Sequence, residues 1–451
     1  MLLLTGCGRR QKADNSIVLE FWDFPHMPGT MDYMQKAIET FEHENSGVRI
    51  KYTRLPWQDG QQKISLAVNA GDPPDIATQV NVSPQFLAQD VLEPLDEYLA
   101  PLMDDFYPEY LAPVRWMNHI YGVPWYKACY VCVLNLDVFE SRGVALPVDG
   151  RWTWDEFRSK MKALTVNDGP TSQTWGLVTN LGPMEYEAYS IIYNTDDARI
   201  MRVLPDGSVK SAVAEDAFIK GIKRLQQLEF EDRVTVPTIG SMTQEQSWNV
   251  WRDTKRVGVT FQGAWCVTGL RRYNESIEEN NARKIAEGRA NEVESPIRWK
   301  IVAPPSDDAE TTPVLGSSGL GTFVVFKQKD KVKRDLAVKL ALQLIKGEGQ
   351  QVLIEENCHP SLKSAGDLWA NQPDLSPVFK LFPEGVVMPL VPGGERVDPV
   401  LQTEIQKAVL AIPGTGKPQL DAETCARAGD AKVKAILERA ERRNVESGSA
   451  R

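Results

Sequence analysis

The chain has 451 residues, 42% of them in the hydrophobic set, and 51 Lys and Arg stand against 61 Asp and Glu for a formal net charge of −10. That length suits two or three domains of ordinary globular composition. The acidic balance lacks the basic footprint of a nucleic-acid binder, no stretch approaches the roughly 18 apolar residues of a membrane span, and four scattered His (His26, His43, His119, His359) argue against a His-rich metal site.

The chain opens Leu2-Leu3-Leu4-Thr5-Gly6-Cys7 and then turns polar through Asn15. Three Leu fall short of the roughly 7–15 apolar residues of a secretory signal. The segment resembles the end of a bacterial lipoprotein signal, where Leu-Thr-Gly precedes a Cys that is cut and lipidated. On that resemblance residues 1–16 are a signal remnant and linker, and Cys7 carries the lipid. The alternative at this point is an ordinary polar terminus that happens to hold a Cys.

From Ile17 strand and helix alternate. Ile17 to Trp22 is an apolar run ending at Asp23, and Pro25 to Gly29 is a loop. Met34, Ala37, Ile38 and Phe41 share one helical face, closed by Ser46-Gly47. Val48, Ile50 and Tyr52 alternate as a strand, Gln62 to Ala70 is a helix stopped by Gly71, and Asp75 to Val80 is a third strand. This β-α-β-α-β order predicts a mostly parallel sheet with helices on both faces. Ligands sit beyond the carboxyl ends of such strands, here Trp22-Asp23, Trp57-Gln58-Asp59 and Gln79-Val80-Asn81.

A second lobe is expected from near Lys127. Cys129 and Cys132 form a C-x-x-C within an aromatic and β-branched strand, where they point to opposite faces about 10 Å apart, too far for a disulfide or a shared metal. Without Cys7 five Cys remain, so at least one thiol is unpaired; Cys266, Cys358 and Cys425 read as small buried residues. Thr153-Trp154-Asp155-Glu156 is a capping box that opens a helix through Phe157, Met161 and Leu164. Phe218 to Leu228 is another helix, and Val257 to Phe261 is a buried strand running into Gln262-Gly263-Ala264-Trp265. Asn274 to Glu294 is charged and apolar-poor, as expected of a solvated insertion. Trp299 to Ala303 and Thr322 to Phe326 read as strands, Leu336 to Lys346 and Asp421 to Arg443 as helices.

Enzyme signatures are scarce. Gly414-Thr415-Gly416-Lys417-Pro418 lacks the spacing of a phosphate loop and puts Pro where its helix would start. In Gly316 to Gly321 the Gly spacing is wrong for a dinucleotide fingerprint, and a strand follows instead of a helix. No nucleophile elbow or H-E-x-x-H occurs. Twelve Trp do occur, and Trp22, Trp57, Trp125 and Trp265 fall at strand ends or loops. An indole face is large, rigid and apolar, which suits the C–H face of a pyranose, while neighbouring Asp, Asn, Gln and Arg take its hydroxyls.

The chain resembles the bacterial extracellular solute-binding proteins of ABC importers, the sugar-binding family that includes the maltodextrin-binding proteins. The likeness runs from Ile17 to about Arg439. It is carried by Phe41 to Val48 (similar to F-E-x-x-x-P-G-[IV]), Ala70 to Ile76 (A-x-G-x-x-P-D-[IV]), Leu92 to Asp96, Tyr121 to Tyr126, Leu134 to Phe139, Trp152 to Phe157, Gly263-Ala264-Trp265 (G-x-W) and His359 to Ala365. The resemblance implies an α/β fold of two lobes, the type II periplasmic-binding-protein fold, each lobe a mostly parallel sheet flanked by helices, with multiple hinge crossovers. The N-lobe would hold residues 17–127 plus about 299–326, the C-lobe 128–298 plus about 327–451.

It further implies a non-enzymatic receptor outside the cytoplasmic membrane, lipid-anchored through Cys7, monomeric and without a cofactor. Its partners would be a mono- or oligosaccharide and the importer's permease. Carried over by motif, Trp265 is the first choice as sugar platform. Trp22 and Asp23, Gln79 and Asn81, Trp125 and Tyr126, and Ser317 and Ser318 follow, with Trp57 and Asp59 from the strand-end argument and Arg396 from the Gly393-Gly394-Glu395-Arg396 region. Two departures argue against maltodextrin itself: Gln79 replaces an aromatic, and Lys127-Ala128 replaces an acid. The alternatives are a secreted carbohydrate-active enzyme, or the same fold with another cargo. Of cations for a glycerol phosphodiester only Lys127 and Arg396 can be placed, and of acids for a polyamine only Asp23 and Asp59; a peptide is the third option.

Overall fold

The computed structural model describes residues 16–448 except 167–168, 170–172, 183–185 and 238; Cys7 lies outside the described residues. The strands that matter here are β1 (Ile17–Asp23), β2 (Val48–Arg54), β3 (Ile76–Val80), β4 (Val123–Asn135), β5 (Trp175–Val178), β6 (Val257–Gly263), β7 (Trp299–Val302), β8 (Ser317–Val325) and β9 (His359–Pro360). They join into one sheet in the order β2-β1-β3-β8-β4-β6-β5, with β7 and β9 also pairing with β4. The outer pairs β1–β2, β1–β3 and β5–β6 are parallel. The central pairs are antiparallel, because the two long strands β4 and β8 run between the halves in opposite directions.

Local chemistry sets the elements. In β1 Leu19, Phe21 and Asp23 are buried on one face while Val18 is exposed on the other. The helix Pro28–Glu44 starts on Pro and buries Tyr33, Met34, Ala37, Ile38 and Phe41. Its first N–H groups are satisfied from a distant segment: Glu356 Oε1 accepts from Met27 N at 2.6 Å and Glu355 Oε2 from Gly29 N at 3.1 Å. Carboxylates there also complement the helix dipole. The helix Gly60–Ala70 stops at Gly71, which takes the left-handed conformation (φ 77°). The capping box at Thr153 is formed in full, opening the helix Trp154–Leu164.

Three buried apolar clusters fill the two lobes. The first gathers Leu19, Phe21, Phe41, Ile76, Trp125 and Phe323. The second holds Leu134, Phe157, Ile192, Phe261 and Leu401, and the third Val131, Val133, Trp251, Trp369 and Phe379. Strand β4 threads all three: Val123 and Trp125 lie in the first, Val131 and Val133 in the third, Cys132 and Leu134 in the second. The chain therefore crosses between lobes within β4. It crosses again in β8, where Leu320 and Phe323 belong to the first cluster and Ser317 pairs with Cys129. A third crossing follows Leu362, since Trp369 is already in the third cluster.

These contacts differ from the expected chain ranges. Trp299 to Val302, expected with the first lobe, pairs with the far half of β4, and Ile301 and Val302 sit in the third and second clusters. The helix Lys331–Leu344, expected in the second lobe, buries Leu340 and Leu344 in the first. Strand partners are long-range, and local periodicity carries no information about which sheet edge receives a returning segment. Likewise Asn274 to Glu294 is largely the continuation of one long helix, Cys266–Ala286, which buries only Cys266, Val267, Leu270 and Ile277 and leaves the rest half-buried or exposed. Cys129, Cys132, Cys266, Cys358 and Cys425 are all buried and free.

Candidate functional site

The carboxyl ends of β1, β2 and β3 and the first half of β4 build one half-site. Phe24, His26, Trp57, Thr78, Gln79, Val80, Trp125, Tyr126, Gly321 and Thr322 line a single small pocket there. Trp57 is 53% exposed and stacks on Phe24 with centroids 4.6 Å apart. Tyr126 lies across Gly321, where a Cβ would come within 2.3 Å of its ring, so only glycine lets the ring settle.

Behind this pocket sits Asp23, wholly buried. Its Oδ1 accepts from the Thr78 hydroxyl at 2.6 Å and from Phe24 N at 2.9 Å and lies 3.1 Å from His26 Nε2, while Oδ2 accepts from the Tyr52 hydroxyl at 2.7 Å. Burial pushes its carboxyl up, but His26 together with these donors wins and holds it below the usual carboxylate value. The reciprocal balance applies to His26: burial disfavours its charge, Asp23 and Glu356 favour it more, and its pKa is raised.

The second half-site lies at the carboxyl ends of β5 and β6. Trp265 opens the helix Cys266–Ala286 and is 36% exposed, backed edge-on by Trp248 at 5.4 Å. A Cβ on Gly263 would stand 2.5 Å from the Trp265 Nε1, so this glycine too makes room for an aromatic ring. Beside it is a buried polar network. Asn180 Nδ2 donates to Glu187 Oε2 at 2.6 Å, Ser247 Oγ donates to Asn180 Oδ1 at 2.9 Å, Gln262 Nε2 donates to Ser247 Oγ at 3.3 Å, and Gln244 donates to Glu187. The Tyr186 hydroxyl donates to Asp398 Oδ2 at 3.0 Å, and burial raises the Asp398 carboxyl to about 6. Gln262 Oε1 and Asp398 Oδ1 have no partner among the described residues. A buried acceptor left so is costly unless water or a ligand completes it.

Two contacts tie the lobes. Thr268, in the first turn after Trp265, donates to Glu355 O at 2.8 Å and accepts from Asn357 Nδ2 at 2.7 Å. Elsewhere the short helix Pro84–Ala88 packs on the turn Gly394–Arg396.

Of the residues expected from sequence, Trp57, Gln79, Trp125 and Tyr126 are brought to one pocket, and Trp265 to the other half-site. Several side chains stand differently from their expected use. Trp125 is 1% exposed, its Nε1 donates to Gly349 O at 2.7 Å, and its ring packs against Phe323, so it belongs to the core. Asp23 has both oxygens committed and presents His26 in its place. Asn81 adopts φ 68° and its Oδ1 accepts from Leu320 N at 2.9 Å, tying β3 to β8. Ser317 Oγ donates to Ala128 O at 2.9 Å and accepts from Gly319 N.

Trp22 is half-buried on the β1 face opposite Phe21, packed against the first core. Asp59 pairs with Lys63 at 3.1 Å on the surface, and Arg396 is exposed beside Glu395. Ser318 is half-buried. Gln79 is buried with Nε2 donating to Thr78 O at 2.9 Å. Lys127, next to Tyr126, necessarily faces the other side of β4. There it lines a separate cavity of about 410 Å³, and its ammonium donates to Pro383 O at 2.6 Å and Gly385 O at 3.3 Å.

Sequence reasoning missed His26, Asn180, Tyr186, Glu187, Gln244 and Asp398. The only local signal was polar residues closing an apolar run, as in Leu177-Val178-Thr179-Asn180.

The model of the family described as bacterial extracellular solute-binding protein matches residues 25–272. A curated relative from Brucella abortus (strain 2308), named only as a binding protein, is 23% identical over 414 residues, 90% of each chain. Among solved structures, an ABC substrate-binding protein from Listeria monocytogenes in complex with cycloalternan superposes with a TM-score of 0.71 at 16% identity, covering 94% of this chain and 99% of that one. An ABC transporter solute-binding protein from Thermotoga lettingae TMO bound with α-D-tagatose gives 0.70 at 21% identity, covering 94% and 100%. These likenesses establish the two-lobe fold.

Proposed function

The chain belongs to the bacterial extracellular solute-binding proteins, an extracytoplasmic family, and from that premise we propose that it is the receptor of an ABC importer for a neutral mono- or oligosaccharide held between its lobes. The observation that carries this reading is a half-exposed indole at each half-site, Trp57 on the first lobe and Trp265 on the second, each braced by another aromatic ring. Such rings stack on sugar C–H faces, while Gln79, Tyr126 and the open acceptor of Gln262 meet hydroxyls.

Charge supports a neutral cargo. Of the residues lining the first pocket only His26 and Tyr126 can ionise, and Asp23 balances His26. Lys127 faces away and Arg396 pairs with Glu395, which leaves an anionic cargo without a counter-charge from either. A ligand touching both lobes favours the closed arrangement by its differential affinity for that state. The closed form would be read by the permease, with Cys7 as the proposed lipid anchor.

A thermal-shift screen over D-glucose, D-tagatose, maltose, maltotriose, cellobiose and trehalose tests this. A sugar at 100 times its Kd should add about 2.7 kcal/mol of stability, and chromatography should recover it unchanged. Hydrolysis of the sugar, or no shift with any of them, would overturn the reading.

A further inference from the structure

We propose that the segment Glu355–Asn357 is a clasp between the lobes and that Asn357 is its positioning residue, holding Thr268 of the second lobe so that the closed arrangement persists around a bound sugar. This rests on the receptor reading above and deepens it.

The clasp is anchored on the first lobe. Leu353 is buried in the first cluster while Ile354 packs against the third, so the segment lies at the boundary between the lobes. Glu356 Oε1 accepts from Met27 N and Glu355 Oε2 from Gly29 N, which fixes the segment to the start of the helix Pro28–Glu44. The approach is close: a Cβ on Gly29 would stand 2.6 Å from Glu355 Oε2. Two residues after Asn357, His359 pairs with Lys127 of β4, the strand that crosses between the lobes.

Across the boundary the Thr268 hydroxyl donates to Glu355 O at 2.8 Å. Asn357 Nδ2 donates to the same carbonyl at 3.2 Å and to Thr268 Oγ1 at 2.7 Å. A hydroxyl has one proton, so Thr268 accepts from the amide, and the amide orientation is fixed. Asn357 itself takes the left-handed conformation (φ 53°) after the short helix Leu353–Glu356. Glycine takes that conformation without steric penalty. The asparagine is 1% exposed, and its Oδ1 has no partner among the described residues. A buried acceptor left unpaired costs stability, so ending the helix does not account for this side chain. Its bond to Thr268 does.

The arrangement held in this way is the closed one. The lobes also touch away from the clasp, where a Cβ on Gly394 would come within 3.5 Å of Pro84 Cγ. Bonds made only once the lobes have met act on release of a ligand rather than on its encounter.

Stopped-flow association and release are measured with whichever panel sugar gives the largest thermal shift. The proteins compared are wild type, Asn357→Gly, Thr268→Val, Thr268→Ser and the Asn357→Gly/Thr268→Val double variant. Inter-lobe distance is read from spin labels at Glu39→Cys and Glu278→Cys, both exposed positions, in a Cys7→Ser background; the five described thiols are buried. Asn357→Gly is expected to release sugar about fivefold faster, with association within twofold of wild type. In the sugar-free protein it should move population to a longer inter-label distance. Thr268→Ser keeps the hydroxyl and should match wild type within twofold. The double variant should release no faster than the faster single one, because both remove the same bonds. A side chain that merely stabilised the first lobe would lower the unfolding midpoint and leave release and distance unchanged. If Asn357→Gly does not fold, Thr268→Val against Thr268→Ser decides the matter. Sugar binding with release within twofold of wild type in Asn357→Gly, and unmoved label distances, overturns this inference alone. If no panel sugar binds wild type, the carbohydrate reading fails and the label distances decide the clasp by themselves: a shift in Asn357→Gly sustains it, and identical distributions overturn it.

Discussion

The two half-sites use the same position in the fold and opposite internal chemistry. Each lies beyond the carboxyl ends of parallel strands and presents one half-exposed indole, Trp57 or Trp265. Behind the first, polar capacity is closed inward: Asp23 takes up the Thr78, Tyr52 and Phe24 donors and His26. Behind the second, the Asn180–Glu187–Gln244–Ser247–Gln262 network ends on an acceptor without a partner among the described residues. The first wall is therefore an aromatic shelf over a closed polar centre, and the second is a polar network with one acceptor, Gln262 Oε1, unpartnered among the described residues. On the proposed reading, in which a sugar receptor closes by hinge motion, this asymmetry would let one wall hold the ring of the sugar before the other completes its hydroxyls.

The comparison breaks most visibly if a buried tryptophan behaves like an exposed one. Trp125→Ala should lose about 3–5 kcal/mol of stability, as large-to-small core substitutions do, read as a lower midpoint in urea unfolding. A stability near that of wild type would return Trp125 to the ligand surface.

Next in size is Asp23→Asn, which removes one partner of a buried ion pair and should cost about 3 kcal/mol. Its pH signature sharpens the test. The depressed carboxyl of Asp23 contributes stability above its ordinary value of 3.8, lost as pH falls through the folded value. The raised His26 contributes below its ordinary 6.5, lost as pH rises through its folded value. The wild type should therefore gain most between those limits, and Asp23→Asn should flatten both limbs of its stability profile. Unchanged limbs would mean that the pair is not formed.

Smaller still is Thr268→Val, which deletes the bonds to Glu355 and Asn357 across the lobes. A loss of about 1 kcal/mol is expected, roughly fivefold in sugar affinity, carried mainly by faster release in stopped-flow measurements. No change in release would mean that these bonds do not hold the lobes together.

How much of this was legible in the sequence follows the range of the interactions. Strand–helix alternation from Ile17 to Val80 is local, and the elements appear where the periodicity places them. The capping box at Thr153 is local and forms. The destination of Trp299 to Val302, and the lobe that receives the helix Lys331–Leu344, depend on pairings with strands more than a hundred residues away. The same divide runs through the site. Trp57 and Trp265 stand at strand ends that the pattern marks, whereas the orientation of Trp125 depends on Gly349 and Phe323, and Asp23 is saturated by residues of two other strands. Asn180, Glu187, Gln244, Gln262 and Asp398 share no motif; only folding brings the first four into one network.

The central claim is that walls from both lobes grip one sugar, and calorimetry on Trp57→Ala and Trp265→Ala with the best panel sugar tests it most directly. Each substitution should weaken binding about 30-fold or more, the loss of about 2 kcal/mol typical of a dominant aromatic contact, with unfolding midpoints near that of wild type. If either variant binds within twofold of wild type, the sugar is not held between the two rings.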